Sequence, residues 1–180
     1  MSDLQEIVKK TVREVVDFPK PGIIFKDITP ILKDAHLCSE IVDELALQII
    51  RSGKQIDAIA GAESRGFFFG FLLANKLQLP FIPIRKPGKL PFKTVSIEYD
   101  LEYGSSKIEM NEDAIQPGWN VLIHDDLLAT GGTAAATAEL IKRQGGNIAG
   151  FCFAFSLRSL KGDEKLKPYS ENIINLVDYE

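Results

Sequence analysis

Residues 121–133, Val-Leu-Ile-His-Asp-Asp-Leu-Leu-Ala-Thr-Gly-Gly-Thr, constrain the fold more than any other stretch of this chain. A short apolar run of this kind suits a strand covered on both faces. Adjacent carboxylates, Asp125 and Asp126, follow it, and then small residues and hydroxyls (Ala129, Thr130, Gly131, Gly132, Thr133) open an Ala-rich helix. The glycines let an anion approach the backbone closely, and unpaired N–H groups at a helix start favour negative charge. The aspartates repel a phosphate, so their natural partners are neutral hydroxyls or a cation. A phosphate cradle beside acceptors for hydroxyls implies a site for a ribose 5-phosphate. Other phosphate loops fit less well. The P-loop needs a Gly-Lys-Ser/Thr ending, and no Lys lies between Asp126 and Thr133. The dinucleotide pattern puts glycines directly after the strand, whereas here the acids come first.

The rest of the chain reads as alternating helices and strands. Ser2 and Gln5 have capping-box spacing, and Leu4, Ile7, Val8, Val12, Val15 and Val16 recur at helical spacing, predicting a first amphipathic helix up to Phe18-Pro19. Helices are expected over 36–51 and 65–77, and strands over 56–60, 81–84, 147–157 and 172–177. Segments 95–99 and 106–110 alternate in character and predict an antiparallel excursion. This order means an α/β domain with a largely parallel sheet. Ligands in such sheets bind beyond the C-terminal strand ends, where Asp125, Asp126 and the loop at 61–65 both fall.

Size and composition set the remaining bounds. A chain of 180 residues with 45% apolar and 26% charged content is expected to be one globular domain, 1–180. No apolar stretch is long enough to span a bilayer, and the N-terminus lacks a secretory h-region. Cys38 and Cys152 lie far apart without metal-type spacing, so reduced thiols in a cytoplasmic protein are expected. A net charge of −4 argues against general nucleic-acid binding.

The stretch at 125–133 resembles the phosphoribosyl pyrophosphate (PRPP) motif of type I phosphoribosyltransferases, most of all their adenine-specific branch. Further matches are FPKPGIIFKDITP at 18–30, GAESRGFFFG at 61–70, RKPGKLP at 85–91, LEYG at 101–104 and the closing Asp178-Tyr179-Glu180. His124, where the pattern has an aliphatic residue, and Lys26, where Arg is common, depart from it. The resemblance implies a type I phosphoribosyltransferase fold: a twisted, mostly parallel sheet flanked by helices, a small N-terminal base-binding hood and a flexible β-excursion over the site.

The same resemblance implies a reaction: adenine N9 displaces pyrophosphate from C1 of PRPP and gives AMP, a purine-salvage step. Rival readings are a phosphoribosyltransferase for another purine and a non-catalytic PRPP-sensing regulator. Asp125 and Asp126 would hold the ribose hydroxyls and stabilise charge on the sugar, while Ala129–Thr133 would take the 5-phosphate. Ser64 and Arg65 at a strand end, with Arg85, Lys86 and Lys89 in a Pro- and Gly-rich cover, would face pyrophosphate. The resemblance also implies a cis Glu63–Ser64 peptide. Composition alone makes Glu102 an exposed strand carboxylate; the resemblance makes it a catalytic group near the purine, with Tyr103 closing the site. Adenine would be read by main-chain groups of Ile24-Phe25-Lys26, its ring between Phe25 and Leu127. Mg²⁺ would be held mainly by PRPP oxygens and water. A homodimer is implied, and the Phe67, Phe68, Phe69 and Phe71 cluster suits burial or a subunit interface. His124 is expected to be a satisfied core or interface histidine.

Overall fold

A computed structural model describes residues 3–100 and 105–180. Ser2, and with it the capping box, lies outside the described residues, as do Glu102 and Tyr103. The first helix, α1 (Asp3–Thr11), is shorter than expected. Arg13–Val16 forms a strand, β1, paired antiparallel with β2 (Ile24–Asp27). The spacing of Val12, Val15 and Val16 fits one helical face, but β-branched residues also suit a pleated ribbon, and β2 supplies the partner that decides the matter. The side-chain amide of Gln5 donates to the Leu176 carbonyl at 2.8 Å and ties α1 to the end of the chain.

After a short helix α2 (Thr29–Leu32), α3 runs over Ala35–Arg51. Asp34 caps it by accepting from the amides of His36 and Leu37, both at 3.0 Å. Then come β3 (Ala58–Ala62), α4 (Gly66–Leu77), β4 (Phe81–Ile84), the hairpin β5 (Thr94–Asp100) and β6 (Ser105–Asn111), β7 (Asn120–Leu128), α5 (Gly132–Arg143), β8 (Asn147–Leu157), α6 (Gly162–Leu166) and β9 (Ile173–Tyr179). Most lie within a residue or two of their expected bounds. β3 sits two residues later than expected, because Gly61 and Ala62 continue its pairing with Pro83 and Ile84 of β4.

The central sheet has the order β4-β3-β7-β8-β9, and every pairing within it is parallel. In chain order that is 2-1-3-4-5, with the topological switch between β3 and β7. Each strand feeds both faces by alternation. Ile59 and Leu122 pack with α3 and α4, whereas Ala60, Val121 and Ile123 pack with α5, α6 and the β5–β6 hairpin. Both faces are therefore covered, which is why 121–123 and 151–155 read as uninterrupted apolar runs.

Candidate active site

The site grows out of the gap between β3 and β7. Their pairing ends at Gly61 and His124, while β7 stays paired with β8 as far as Leu128 and Ser156. Asp125 and Asp126 therefore lie within β7 rather than beyond it, on a stretch with one edge released. Alternation sends the neighbours to opposite faces. Asp125 joins Leu127, Leu128, Phe153 and residues 129–134 around a cavity of about 80 Å³, room for several waters or one phosphate group. Asp126, 1% exposed, lies against Arg65, the residue that precedes α4. Gly66, at the start of that helix, must lack a side chain: a Cβ there would lie 2.9 Å from Asp125 Oδ1 and 3.0 Å from the His124 carbonyl.

The phosphate loop has the shape its composition suggests. Gly131 is the N-cap of α5 with φ of 75°, and no side chain caps the first amides. A Cβ at Gly131 would meet the Gly162 carbonyl at 2.7 Å, so glycine is needed there twice over. Thr133 stands in the first turn of α5, its hydroxyl 3.1 Å from that of Tyr99.

Arg65 connects the acids to the hood. Its Nε lies 3.1 Å from Asp126 Oδ2, an ion-pair contact whose angle does not make a hydrogen bond, so among the described residues that buried oxygen has no donor. Its Nη1 donates to the Lys26 carbonyl at 3.3 Å, and its guanidinium sits 5.0 Å from the Phe25 ring centre. Phe18 meets the same ring edge-on at 5.2 Å, and Val15, Phe18, Phe25 and Asp27 line a cavity of about 250 Å³. Ile24 is half exposed. The Lys26 side chain leaves the site: its amine pairs with Glu14 and lies 4.4 Å from the Tyr179 ring centre. Leu127 lines the phosphate cavity, whereas Arg65 and Phe18 are the groups set against Phe25.

The Glu63–Ser64 peptide is cis, as the resemblance implied, and Ser64 is exposed. Glu63, which sequence reasoning passed over, accepts from Arg85 Nε at 2.9 Å and from the Lys86 amide at 3.2 Å. Arg85 also donates to the Lys89 carbonyl at 3.1 Å, and the side chains of Lys86 and Lys89 are exposed. Glu109 was missed as well. Its backbone bridges Arg85 in both directions, and its 6%-exposed carboxylate accepts from the Gly88 amide and the Thr94 hydroxyl. The cationic cover is thus tied to β6 at its start, middle and end.

Burial governs the charges here. Desolvation holds the Asp125 carboxyl well above the ordinary value, reinforced by the Asp126 charge. Asp126 is raised for the same reason, and Arg65 opposes the shift. His124 is fully buried on the α4 side of the sheet, against Gly70, and desolvation lowers it to about 4. The Cys152 backbone partly offsets this shift, and among the described residues neither ring nitrogen meets a partner in full hydrogen-bond geometry. His124 is thus a buried, neutral histidine of the core, set between the backbone of β8 and the small residues of α4.

A doubly covered parallel sheet with an anion loop and paired acids at its switch point is the architecture of phosphoribosyl transfer. The sequence matches the phosphoribosyl transferase domain over residues 30–179, and the chain belongs to that family. It is 54% identical to an adenine phosphoribosyltransferase of Cytophaga hutchinsonii, covering 98% of this chain and 96% of that one. It is 47% identical to that of Methanococcus vannielii, covering 96% and 98%. The crystal structure of adenine phosphoribosyltransferase from Thermoanaerobacter pseudethanolicus superposes with a TM-score of 0.92 at 47% identity, covering 97% of this chain and 99% of that one. The Saccharomyces cerevisiae enzyme, complexed with an imino-altritol bisphosphate and adenine, gives 0.89 at 38% identity, covering 98% and 99%. Within the family, the chain groups with the adenine phosphoribosyltransferases.

Proposed function

We propose that this chain transfers the 5-phosphoribosyl group of PRPP to adenine, giving AMP and pyrophosphate. One observation carries the reading: Arg65 bridges a base-sized apolar hood and a buried aspartate whose neighbour faces a phosphate-sized cavity. Base, ribose and phosphate would then lie in line along the end of β7. In the reaction, N9 of adenine forms its bond to C1 as the C1–oxygen bond breaks, with the electron pair leaving on pyrophosphate. The N9 proton passes to a base; the family resemblance gives Glu102 that role or the role of orienting the purine ring. Positive charge on the sugar is stabilised by Asp125 and Asp126, and the departing pyrophosphate by Arg65, Arg85, Lys86 and Lys89.

Adenine, with a donor at N6 and an acceptor at N1, complements a main-chain carbonyl and amide in 24–26. Hypoxanthine and guanine reverse both groups and would leave unpaired contacts at about 1–3 kcal/mol each. The Lys26 side chain lies outside this recognition, since it is turned to Glu14 and Tyr179.

Mg²⁺ fits the donor set as an ion carried by substrate. The described residues hold no group of three or more His, Cys, Asp or Glu side chains able to take a metal, whereas Asp126 Oδ2 lacks a donor and Asp125 faces the cavity. Both could accept from metal-bound waters, and the ion would supply charge neutralisation on pyrophosphate. The reading places the enzyme in the cytoplasm as a homodimer, a state supported by exposed Phe68, Phe71 and Leu72 on α4.

Release of AMP from adenine, PRPP and Mg²⁺ tests this directly. Adenine is expected to be turned over far faster than hypoxanthine or guanine. Equal use of all three overturns the base assignment, and binding of PRPP without AMP formation overturns the catalytic one.

A further inference from the structure

Tyr99 stands where the β5–β6 hairpin meets the phosphate loop. Its register partner is Ser106, at the hairpin end adjoining 101–104. It shares a strand face with buried Ile97 and, like it, packs into the α5 side of the core. The ring forms a partition. On one side is a cavity of about 80 Å³ lined by Glu63, Arg85, Lys86 and Thr133; on the other, one of about 260 Å³ lined by Gly132, Ala135, Glu139 and Lys165. The ring is half-buried and its hydroxyl lies 3.1 Å from Thr133 Oγ1.

The direction of that hydrogen bond follows from the chemistry of the two groups. A phenol is the more acidic hydroxyl and the better donor, and each hydroxyl carries one hydrogen. With Tyr99 donating, the Thr133 oxygen accepts and its own hydrogen is left to donate elsewhere. An anion in the loop then receives Thr133 O–H while Thr133 receives Tyr99 O–H, a chain of donors polarised in one sense.

We propose that Tyr99 is a positioning residue for the 5-phosphate: its phenol orients the Thr133 hydroxyl toward the phosphate cavity. This deepens the ribose-phosphate site of the preceding section and rests on that reading.

Calorimetric titration of the full chain with ribose 5-phosphate tests the proposal, using Tyr99→Phe, Thr133→Val and the double variant. Tyr99→Phe is expected to weaken binding about three- to tenfold, the range of one net hydrogen bond, and to raise KM for PRPP more than it lowers kcat. Its melting temperature without ligand should match the parent. The double variant should bind no more weakly than Thr133→Val alone, since the phenol acts only through that hydroxyl. Unchanged affinity in Tyr99→Phe, additive losses, a lowered ligand-free melting point without an affinity change, or a parent that does not bind ribose 5-phosphate each overturn it. A parent that binds the sugar phosphate but forms no AMP defeats the catalytic reading alone and leaves this titration fully informative.

Discussion

Arg65 Nε lies 3.1 Å from Asp126 Oδ2, across the gap that opens where β3 and β7 separate. One guanidinium thus touches the buried acid, the carbonyl of Lys26 and the face of Phe25. A planar fork suits this three-way contact, and an ammonium does not.

Arg65→Lys keeps the charge and loses the geometry. Contacts to charged groups contribute about 1.5–3 kcal/mol, so kcat/KM for PRPP should fall about ten- to a hundredfold. Steady-state kinetics with each substrate varied in turn checks this; parental values would detach Arg65 from the site.

Asp125→Asn should separate stability from activity. Both acids are raised above the ordinary 3.8 by burial, so the folded chain keeps protons that the unfolded chain has released. Their contribution is fully present below about pH 3.8 and is lost as pH rises through the raised folded values. The amide removes this loss for Asp125. Its urea midpoint at pH 7 should exceed the parent's, while turnover falls about 10²–10³-fold. An unmoved midpoint refutes the burial argument, and near-parental turnover refutes the role.

His124→Val removes two buried ring nitrogens that have no hydrogen-bond partner among the described residues. The histidine sits at about 4 when folded against an ordinary 6.5, so the stability it permits is complete above pH 6.5 and falls as pH drops toward 4. The variant should therefore gain on the parent progressively across that window, by about 3 kcal/mol at its acid end. Denaturant titrations at pH 7 and pH 4.5 decide it; a constant difference between the two counts against a neutral buried ring.

Gly66→Ala forces a methyl against Asp125 and the His124 carbonyl. The Asp125 carboxylate can give a little, but the His124 carbonyl and the Asp125 Cα are backbone and cannot. A cost of about 1–3 kcal/mol is expected, lowering the melting temperature by about 2–10 °C and displacing Asp125 enough to depress turnover. A parental melting curve would show that α4 and β7 are less closely set than they are here.

What could be read from residues alone followed the strength of the local signal. The runs at 121–123 and 151–155 and the Ala-rich α5 announced themselves because burial on both faces leaves an unbroken apolar pattern. The strand at 13–16 did not, since its pairing with 24–27 is a tertiary fact that valine spacing leaves open. Among site residues, the aspartates and the Thr-Gly-Gly-Thr loop were legible as a contiguous motif. Glu63, Tyr99 and Glu109 were not, because each acts through partners 15 to 34 positions away. A faint cue existed for Glu63: a carboxylate beside a presumed pyrophosphate cradle needs a cation of its own, and Arg85 is that cation.

Because Asp125 and Asp126 look out from opposite sides of one ribbon, the two acids are not spares for each other. Insertion or deletion of a single position upstream in β7 would swap their outlooks, presenting the sugar pocket with the arginine's partner and the arginine with the pocket's wall. The pleat itself thereby divides labour between identical side chains, and neither could take over the other's post without the ribbon being turned over.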